Sequence, residues 1–197
     1  MARDEPAEAA SSYRSAIDLG LRSPTMFFDL GIALAQAGRA EPAIDALRQA
    51  LDAAPEGALL HSWYASLAAQ LLEVRRYPEA LEAYRRAEYP GSDEDAELWQ
   101  GRAKALAGLL RLTEALEAIE QAVRLDPYSA AIALDYASVL ESAGRADESL
   151  VELERAVELE PEQGRFHYEL GVALEDRGEG ERARHHIERA ERLGYVP

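Results

Sequence analysis

Residues 143–161 read AGRADESLVELERAVELEP, and the spacing of small residues in and around this stretch indicates the fold. Ser149, Ala156 and Pro161 follow Ala137 at intervals of 12, 7 and 5 residues. The same intervals recur in two other sets, Gly31, Ala43, Ala50, Pro55 and Ala103, Ala115, Ala122, Pro127. The first two intervals also recur in Ala68, Ala80, Ala87 and in Gly171, Ala183, Ala190. Successive sets begin 34 to 37 residues apart, so the sequence predicts five copies of one internal repeat.

The small residues have a simple meaning if each copy is a pair of helices. An interval of seven places Ala43 and Ala50 on one face of a helix, two turns apart, where small side chains let two helix axes approach closely. Gly38, Gly144 and Gly178 fall between the two predicted helices of a copy and suit the left-handed backbone that ends a helix. The pattern therefore predicts five helical hairpins with tight turns.

Further features of the repeat are those of a known family. Trp99 stands where that family often has tryptophan, and RYPEALEAYRRA at 76–87 is close to its usual second helix. With the 34-residue period, the central alanine and the late proline, the chain resembles the tetratricopeptide repeat family. The resemblance implies an all-α fold, a right-handed superhelical solenoid of antiparallel helix pairs formed by the single domain 1–197. Its predicted units are a half repeat at 6–20 and full repeats at 24–57, 61–94, 96–129, 130–163 and 164–197.

Some positions depart from the family pattern. Arg102 occupies a slot that normally holds leucine, and Leu110 replaces the turn glycine of the same copy, so we expect an irregular hairpin there. The first predicted unit is a second helix without a first. Two interpretations stay open: the chain is a piece of a longer protein, or its ends are covered by self-association.

Composition and charge limit the function classes. The net charge is −16, which disfavours nucleic acid as a partner and favours neutral or basic proteins. The chain has no cysteine, which excludes disulfides and cysteine-based metal sites. No apolar run reaches the length of a membrane span, and the first ten residues do not look like a secretory signal. We therefore expect a cytoplasmic protein without membrane contact.

The resemblance also implies where a partner would bind. In this family the first helices of successive pairs line a concave groove that usually holds a peptide or partner segment. By register, the groove candidates are Phe28, Ile32, Ala65, Ala69, Leu72, Gln100, Lys104, Leu134, Ser138, Tyr168 and Val172. Phe28 and Ile32 make their helix apolar on a second side, which often marks an interaction site. The alternative is that both pack under the helix at 6–20.

The sequence gives only weak indications of carboxylate binding, metal binding or catalysis. Some relatives grip a partner's terminal carboxylate with basic groove residues, but the corresponding positions of the first two pairs hold none, and we expect Lys104 and Arg165 to be solvated or paired with acids. His167, His185 and His186 could form a chance metal site, although the adjacent pair points in different directions along a helix. No phosphate loop, nucleophile elbow or zinc-protease motif occurs, so we expect no cofactor, no metal and no enzyme activity.

The sequence thus favours a non-enzymatic protein–protein interaction scaffold that binds a partner segment in the groove. Two other functions remain open at this point. The chain could be the targeting or regulatory arm of a larger enzyme, for example a transferase, or it could be a homo-oligomeric assembly element.

Overall fold

The computed structural model describes residues 4–55, 60–89 and 91–196, which form α-helices joined by short connections and contain no β-strand. The helices are α1 (Asp4–Asp18), α2 (Pro24–Gln36), α3 (Ala40–Asp52), α4 (His61–Glu73), α5 (Tyr77–Arg86), α6 (Ala96–Gly108), α7 (Leu112–Leu125), α8 (Ala130–Ser142), α9 (Ala146–Leu159), α10 (Gly164–Asp176) and α11 (Gly180–Arg192). A short 3-10 helix, Ser92–Glu94, precedes α6. The predicted all-α repeat fold is confirmed.

The chain divides into two compact units, Met1–Ser92 and Asp93–Pro197. In the first unit α1 packs on α2, and α2–α3 and α4–α5 are helix pairs. In the second unit the pairs are α6–α7, α8–α9 and α10–α11. We call α2, α4, α6, α8 and α10 the first helices, and α3, α5, α7, α9 and α11 the second helices. The predicted single solenoid and the repeat bounds stay predictions.

Local polar contacts start several first helices. The Ser23 hydroxyl accepts a hydrogen bond from the backbone N–H of Met26 at 3.1 Å, and Ser129 does the same for Ile132 at 3.3 Å. The Asp95 carboxylate accepts from two backbone N–H groups at the start of α6. These side chains satisfy donors that have no partner within the helix, so they fix where each helix begins.

The turns within the helix pairs share one geometry. Gly38, Gly144 and Gly178 have φ values of 72°, 74° and 77°, which confirms their predicted left-handed conformation. Arg75 and Leu110 take the equivalent turn positions of the α4–α5 and α6–α7 pairs, both with φ of 58°. A Cβ atom makes this left-handed conformation unfavourable, but Arg75 and Leu110 adopt it as the turn glycines do.

The α6–α7 turn shows that the expectation of an irregular hairpin was wrong. Leu110 donates its backbone N–H to Ala107 at 2.9 Å, and Arg111 donates to Leu106 at 3.0 Å. The α2–α3 turn at Gly38 has the same two bonds in the same order. Because these bonds satisfy the last carbonyls of the helix, they hold Leu110 in place of glycine without changing the turn.

Arg102, the other departure from the pattern, contacts an aromatic ring of its own helix. Its guanidinium lies over the ring of Trp99, 4.6 Å from the ring centroid. The Trp99 indole N–H donates to the backbone oxygen of Asp93 at 3.1 Å. The two side chains therefore form a cation–π contact on α6.

The core of each unit combines small and large residues at fixed spacing. In every pair a buried small residue of the first helix is followed 16 positions later by a large residue of the second helix. These pairs are Gly31 and Leu47, Ala68 and Tyr84, Ala103 and Ile119, Ala137 and Leu153, and Gly171 and Ile187. All five small residues are buried, which allows the close helix contact that the intervals predicted.

Candidate partner-binding surfaces

Five of the predicted groove residues lie on α2 and α4 in the first unit. We call Phe28, Ile32, Ala65, Ala69 and Leu72 the first-helix strip. Ala69 is exposed, and the other four are half-buried. The strip carries only apolar side chains, two of which are alanines.

Phe28 is held by a contact that sequence reasoning missed. Its ring stacks on the ring of Trp63, with centroids 4.9 Å apart and planes inclined by 11°. The repeat pattern did not identify Trp63 as the partner of Phe28. The connection between α3 and α4 departs from the 34-residue period, so register alone could not place the indole against the ring of the previous first helix.

The helix α1 packs on a different face of α2. Its buried residues Ala10 and Ile17 belong to a core cluster with Leu30, Ala33 and Leu34. Phe28 and Ile32 do not belong to this cluster or to the half-buried residues packed against it. The ring of Phe28 therefore contacts Trp63 of α4, while α1 covers the core face of α2.

In the second unit the candidates on α6 are engaged with an acid of α8. The Gln100 amide donates to the Asp135 carboxylate at 2.6 Å, and the Lys104 ammonium lies 3.4 Å from the same carboxylate oxygen. Lys104 is thus paired with an acid, one of the two environments expected for it. Arg165, for which the same was expected, lies 3.8 Å from Glu169.

The remaining candidates differ in how much surface they offer. Leu134 is only 5% exposed and belongs to the core of the second unit, so its side chain offers little to a partner. Ser138 is exposed and Val172 is half-buried. The ring of Tyr168 lies against that of Tyr195, with centroids 5.5 Å apart. The second unit thus has a polar first-helix surface, unlike the apolar strip of the first.

The histidines of α10 and α11 contact each other rather than forming a larger cluster. His167 is buried; its Nδ1 lies 2.9 Å from Nδ1 of His186, and its Nε2 lies 3.0 Å from the backbone oxygen of Pro161. Because a carbonyl can only accept, Nε2 of His167 carries a proton. Among the described residues, no group of three or more histidine or acidic side chains is placed to hold a metal ion.

Charge is unevenly shared between the units. The sequence up to Ser92 has 13 acidic and 9 basic residues, a balance of −4, whereas the rest has 24 acidic and 12 basic residues, a balance of −12. The two values add to the net charge of −16.

Within the part of the chain that the structure describes, no helix has the length and apolar character needed to cross a membrane.

Comparison with known families agrees with the fold. Two family models, each described as Tetratricopeptide repeat, match the sequence, one over residues 7–162 and the other over residues 149–194. The chain belongs to the tetratricopeptide repeat family. No curated protein matches its sequence.

Several solved structures share the fold. TTC0263, a thermophilic TPR protein of Thermus thermophilus, is 20% identical with a TM-score of 0.72, covering 87% of this chain and 91% of its own. MamA from Desulfovibrio magneticus RS-1 is 14% identical with a TM-score of 0.67, covering 87% and 94%. YrrB, described as a TPR protein with an unusual peptide-binding site, is 19% identical with a TM-score of 0.58, covering 94% and 93%. At these identities the likeness shows the fold alone.

Proposed function

We propose that the chain is a non-enzymatic scaffold that binds a segment of another protein along the first helices of its pairs. The observation that carries the proposal is the first-helix strip, because its five apolar side chains lie on consecutive first helices and outside the core cluster of α1, α2 and α3. An apolar surface that the core does not use is typical of a protein-binding site.

The strip has the features of a preformed site. Phe28 is stacked on Trp63, so its ring loses little freedom when a partner contacts it. Ala65 and Ala69 occupy one face of α4 with Leu72, and their side chains are small. A partner segment with two or three apolar side chains on one face would pack against the strip, as in other helix and groove contacts.

The first helices of the second unit supply a more polar surface for the same class of partner. Gln100, Lys104, Ser138, Tyr168 and Val172 are the candidate contacts there, and Asp135 already binds the first two. The balance of −12 in this unit favours neutral or basic segments. The membership of the family and the peptide-binding site ascribed to YrrB support a binding role in general.

A single exposed substitution tests the strip. Peptides would be selected from a random library on the purified chain, and their affinities measured by fluorescence polarisation. Ala69→Glu places a charge in the middle of the strip without a change in the core, since Ala69 is exposed on a helix. We expect a loss of affinity of about tenfold or more, because an apolar partner would have to bury an unpaired carboxylate.

The matched control is Gln49→Glu. Gln49 is exposed on the second helix α3 of the same unit, so the variant introduces the same side chain away from the strip. It should bind the selected peptides as the original chain does. Equal affinity of the original chain and the Ala69→Glu variant for every selected peptide would show that the strip is not the binding site.

A further inference from the structure

The first unit contains a second candidate site, a pocket of about 300 Å³ between α3, α4 and α5. Its floor is apolar and consists of Leu67, Leu71 and Ala83, which are 6%, 1% and 5% exposed. The volume is at the lower end of the range of small-ligand pockets. The floor residues on α4 lie on a different face from Ala65, Ala69 and Leu72, and no residue of the pocket belongs to the first-helix strip.

The rim of the pocket consists of paired charges. Glu79 accepts hydrogen bonds from Arg48 of α3 and from Arg76, the latter with two bonds of 2.7 and 2.8 Å. Glu82 accepts from Arg85 and Arg86, each at 2.9 Å. Both carboxylates are thus shared between two arginines. Hydrogen bonds from Arg85 and then Arg86 lower the pKa of Glu82 to about 2, so this carboxylate stays ionised at neutral pH.

The arginines at the rim are positioned toward the pocket. Arg86 also contacts the hydroxyl of Tyr64 at 3.5 Å, and its guanidinium lies over the Tyr64 ring, 5.7 Å from the centroid. A guanidinium has five N–H donors and no acceptor, and the hydrogen bonds described for Arg48 and Arg86 use only some of these donors. Each carboxylate oxygen of Glu79 and Glu82 already accepts at least one hydrogen bond from an arginine. The remaining N–H donors of the rim arginines complement a carboxylate.

One equivalent place in the second unit, between α7, α8 and α9, has different residues at two of these positions. Counting along the repeat, Tyr136 of α8 corresponds to Leu67, and Glu120 of α7 corresponds to Arg48. The Tyr136 hydroxyl donates to Glu120 at 3.5 Å. A larger ring thus stands where the pocket floor has leucine, and an acid stands where its rim has arginine. In the other equivalent place, between α9, α10 and α11, the floor position is again leucine, Leu170, and the position of Arg48 is again an acid, Glu154.

We propose that the pocket between α3, α4 and α5 binds an acidic segment of a partner protein, which inserts one apolar side chain and places a neighbouring carboxylate on Arg48 or Arg86. The apolar floor selects the side chain, and the donors of the rim select the acid. This partner chemistry differs from the neutral or basic segments proposed for the first helices. The two sites share no residue and are tested independently.

The test uses the full chain and three short synthetic peptides with a fluorescent label. The first has one leucine among glutamates, the second has alanine in place of the leucine, and the third has lysines in place of the glutamates. At about 0.15 M salt, repulsion by the acidic chain is screened beyond about 8 Å. We expect the first peptide to bind about tenfold more tightly than either of the others, because only it has both the anchor and the acids.

Two variants of the protein locate the site. Leu67→Tyr places at the floor the larger side chain that the repeat has at position 136, and Arg48→Gln with Arg86→Gln removes the rim donors that face a carboxylate. Both should reduce binding of the first peptide about tenfold or more, while Arg145→Gln, which removes an exposed ion pair with Glu148 in the second unit, should not. Circular dichroism would show that each variant keeps its helices.

Three results would overturn the proposal. The first is equal binding of the glutamate and lysine peptides, and the second is unchanged binding after both the Leu67→Tyr and the double arginine substitution. The third is concentration-dependent self-association in sedimentation velocity that Leu67→Tyr abolishes, because the pocket would then be occupied by a second copy of the chain.

Discussion

A Cβ atom built on Gly31 would lie only 2.7 Å from Cγ of Leu47, so the backbone of α2 lies directly against this side chain of α3. Gly171 and Ile187 have the same relationship in the α10–α11 pair, also at 2.7 Å. Real Cβ contacts are longer than this. The glycine is therefore required by the neighbouring helix rather than by its own backbone conformation.

Gly31→Ala should destabilise the first unit by about 1 to 3 kcal/mol. The added methyl would meet Leu47, which is fully buried and has no free space to move into. The free energy of unfolding in urea measures the effect. Gly180→Ala is the control, because nothing lies within 4 Å of a Cβ at this helical glycine. A variant at Gly31 as stable as the original would contradict the close contact.

Ala137→Leu tests the same packing rule in the second unit. Ala137 is 1% exposed and belongs to a core cluster with Leu153, Phe166 and Leu170. The larger side chain should cost about 1 to 3 kcal/mol in urea unfolding because the core has no volume for it. Ala131→Leu, at an exposed position of the same helix α8, should leave the free energy of unfolding nearly unchanged.

These contacts explain why the sequence predicted the helix pairs well. Only a small residue fits where two helix axes are close, so Gly31, Ala137 and their equivalents had to recur at fixed intervals. Contacts between surface side chains do not require particular residues to recur at fixed intervals. The stacking of Phe28 on Trp63 and the binding of Gln100 to Asp135 depend on side-chain rotamers and on connections of unequal length, which one sequence does not specify.

The pocket of the first unit was missed for a related reason. Leu67 at its floor fits the repeat pattern as an ordinary core leucine, and Arg48 and Glu79 look like a solvated pair on two second helices. That these residues line a pocket becomes apparent only when α3 and α5 are placed on either side of α4. The same repeat position holds leucine at Leu30 and Leu170 as well, so the sequence alone does not single out Leu67.

Leu110→Gly should stabilise the second unit by about 1 kcal/mol. Leu110 has a φ of 58° and is 79% exposed, so the substitution relieves an unfavourable backbone conformation and removes little buried surface. The midpoint of urea unfolding should rise with an unchanged slope. Gly144→Ala is the reciprocal control: Gly144 has a φ of 74° with nothing within 4 Å, and its substitution should cost about the same amount. A drop in stability of the Leu110→Gly variant would refute the strain argument.

His186 should make the second unit less stable below neutral pH. Burial lowers the pKa of His186, and the neighbouring His167, His185 and Arg182 lower it further, against the opposite effect of Glu154. The unfolded chain therefore binds a proton at His186 more readily than the folded one. Its stabilising effect is present above the unfolded pKa of about 6.5 and is lost as the pH falls from there through the lower folded value.

The contact with His167 fixes which nitrogen of His186 takes up a proton. Since Nε2 of His167 donates to Pro161, Nδ1 of a neutral His167 accepts the proton that His186 offers from its Nδ1 at 2.9 Å. Protonation of His186 therefore adds a proton at its Nε2 and leaves this hydrogen bond in place. The acid sensitivity expected for His186 comes from its burial and its neighbours, not from loss of the contact with His167.

The measurement is the melting temperature of the original chain and of His186→Gln at about pH 7.5 and about pH 5.5, a range in which carboxylates with ordinary pKa values stay ionised. The melting temperature of the original chain should fall on acidification, and that of the variant should fall less, because glutamine does not titrate. His185→Gln, an exposed neighbour on the same helix, should keep most of the pH dependence. The same decrease in the original chain and in His186→Gln would place the acid sensitivity elsewhere.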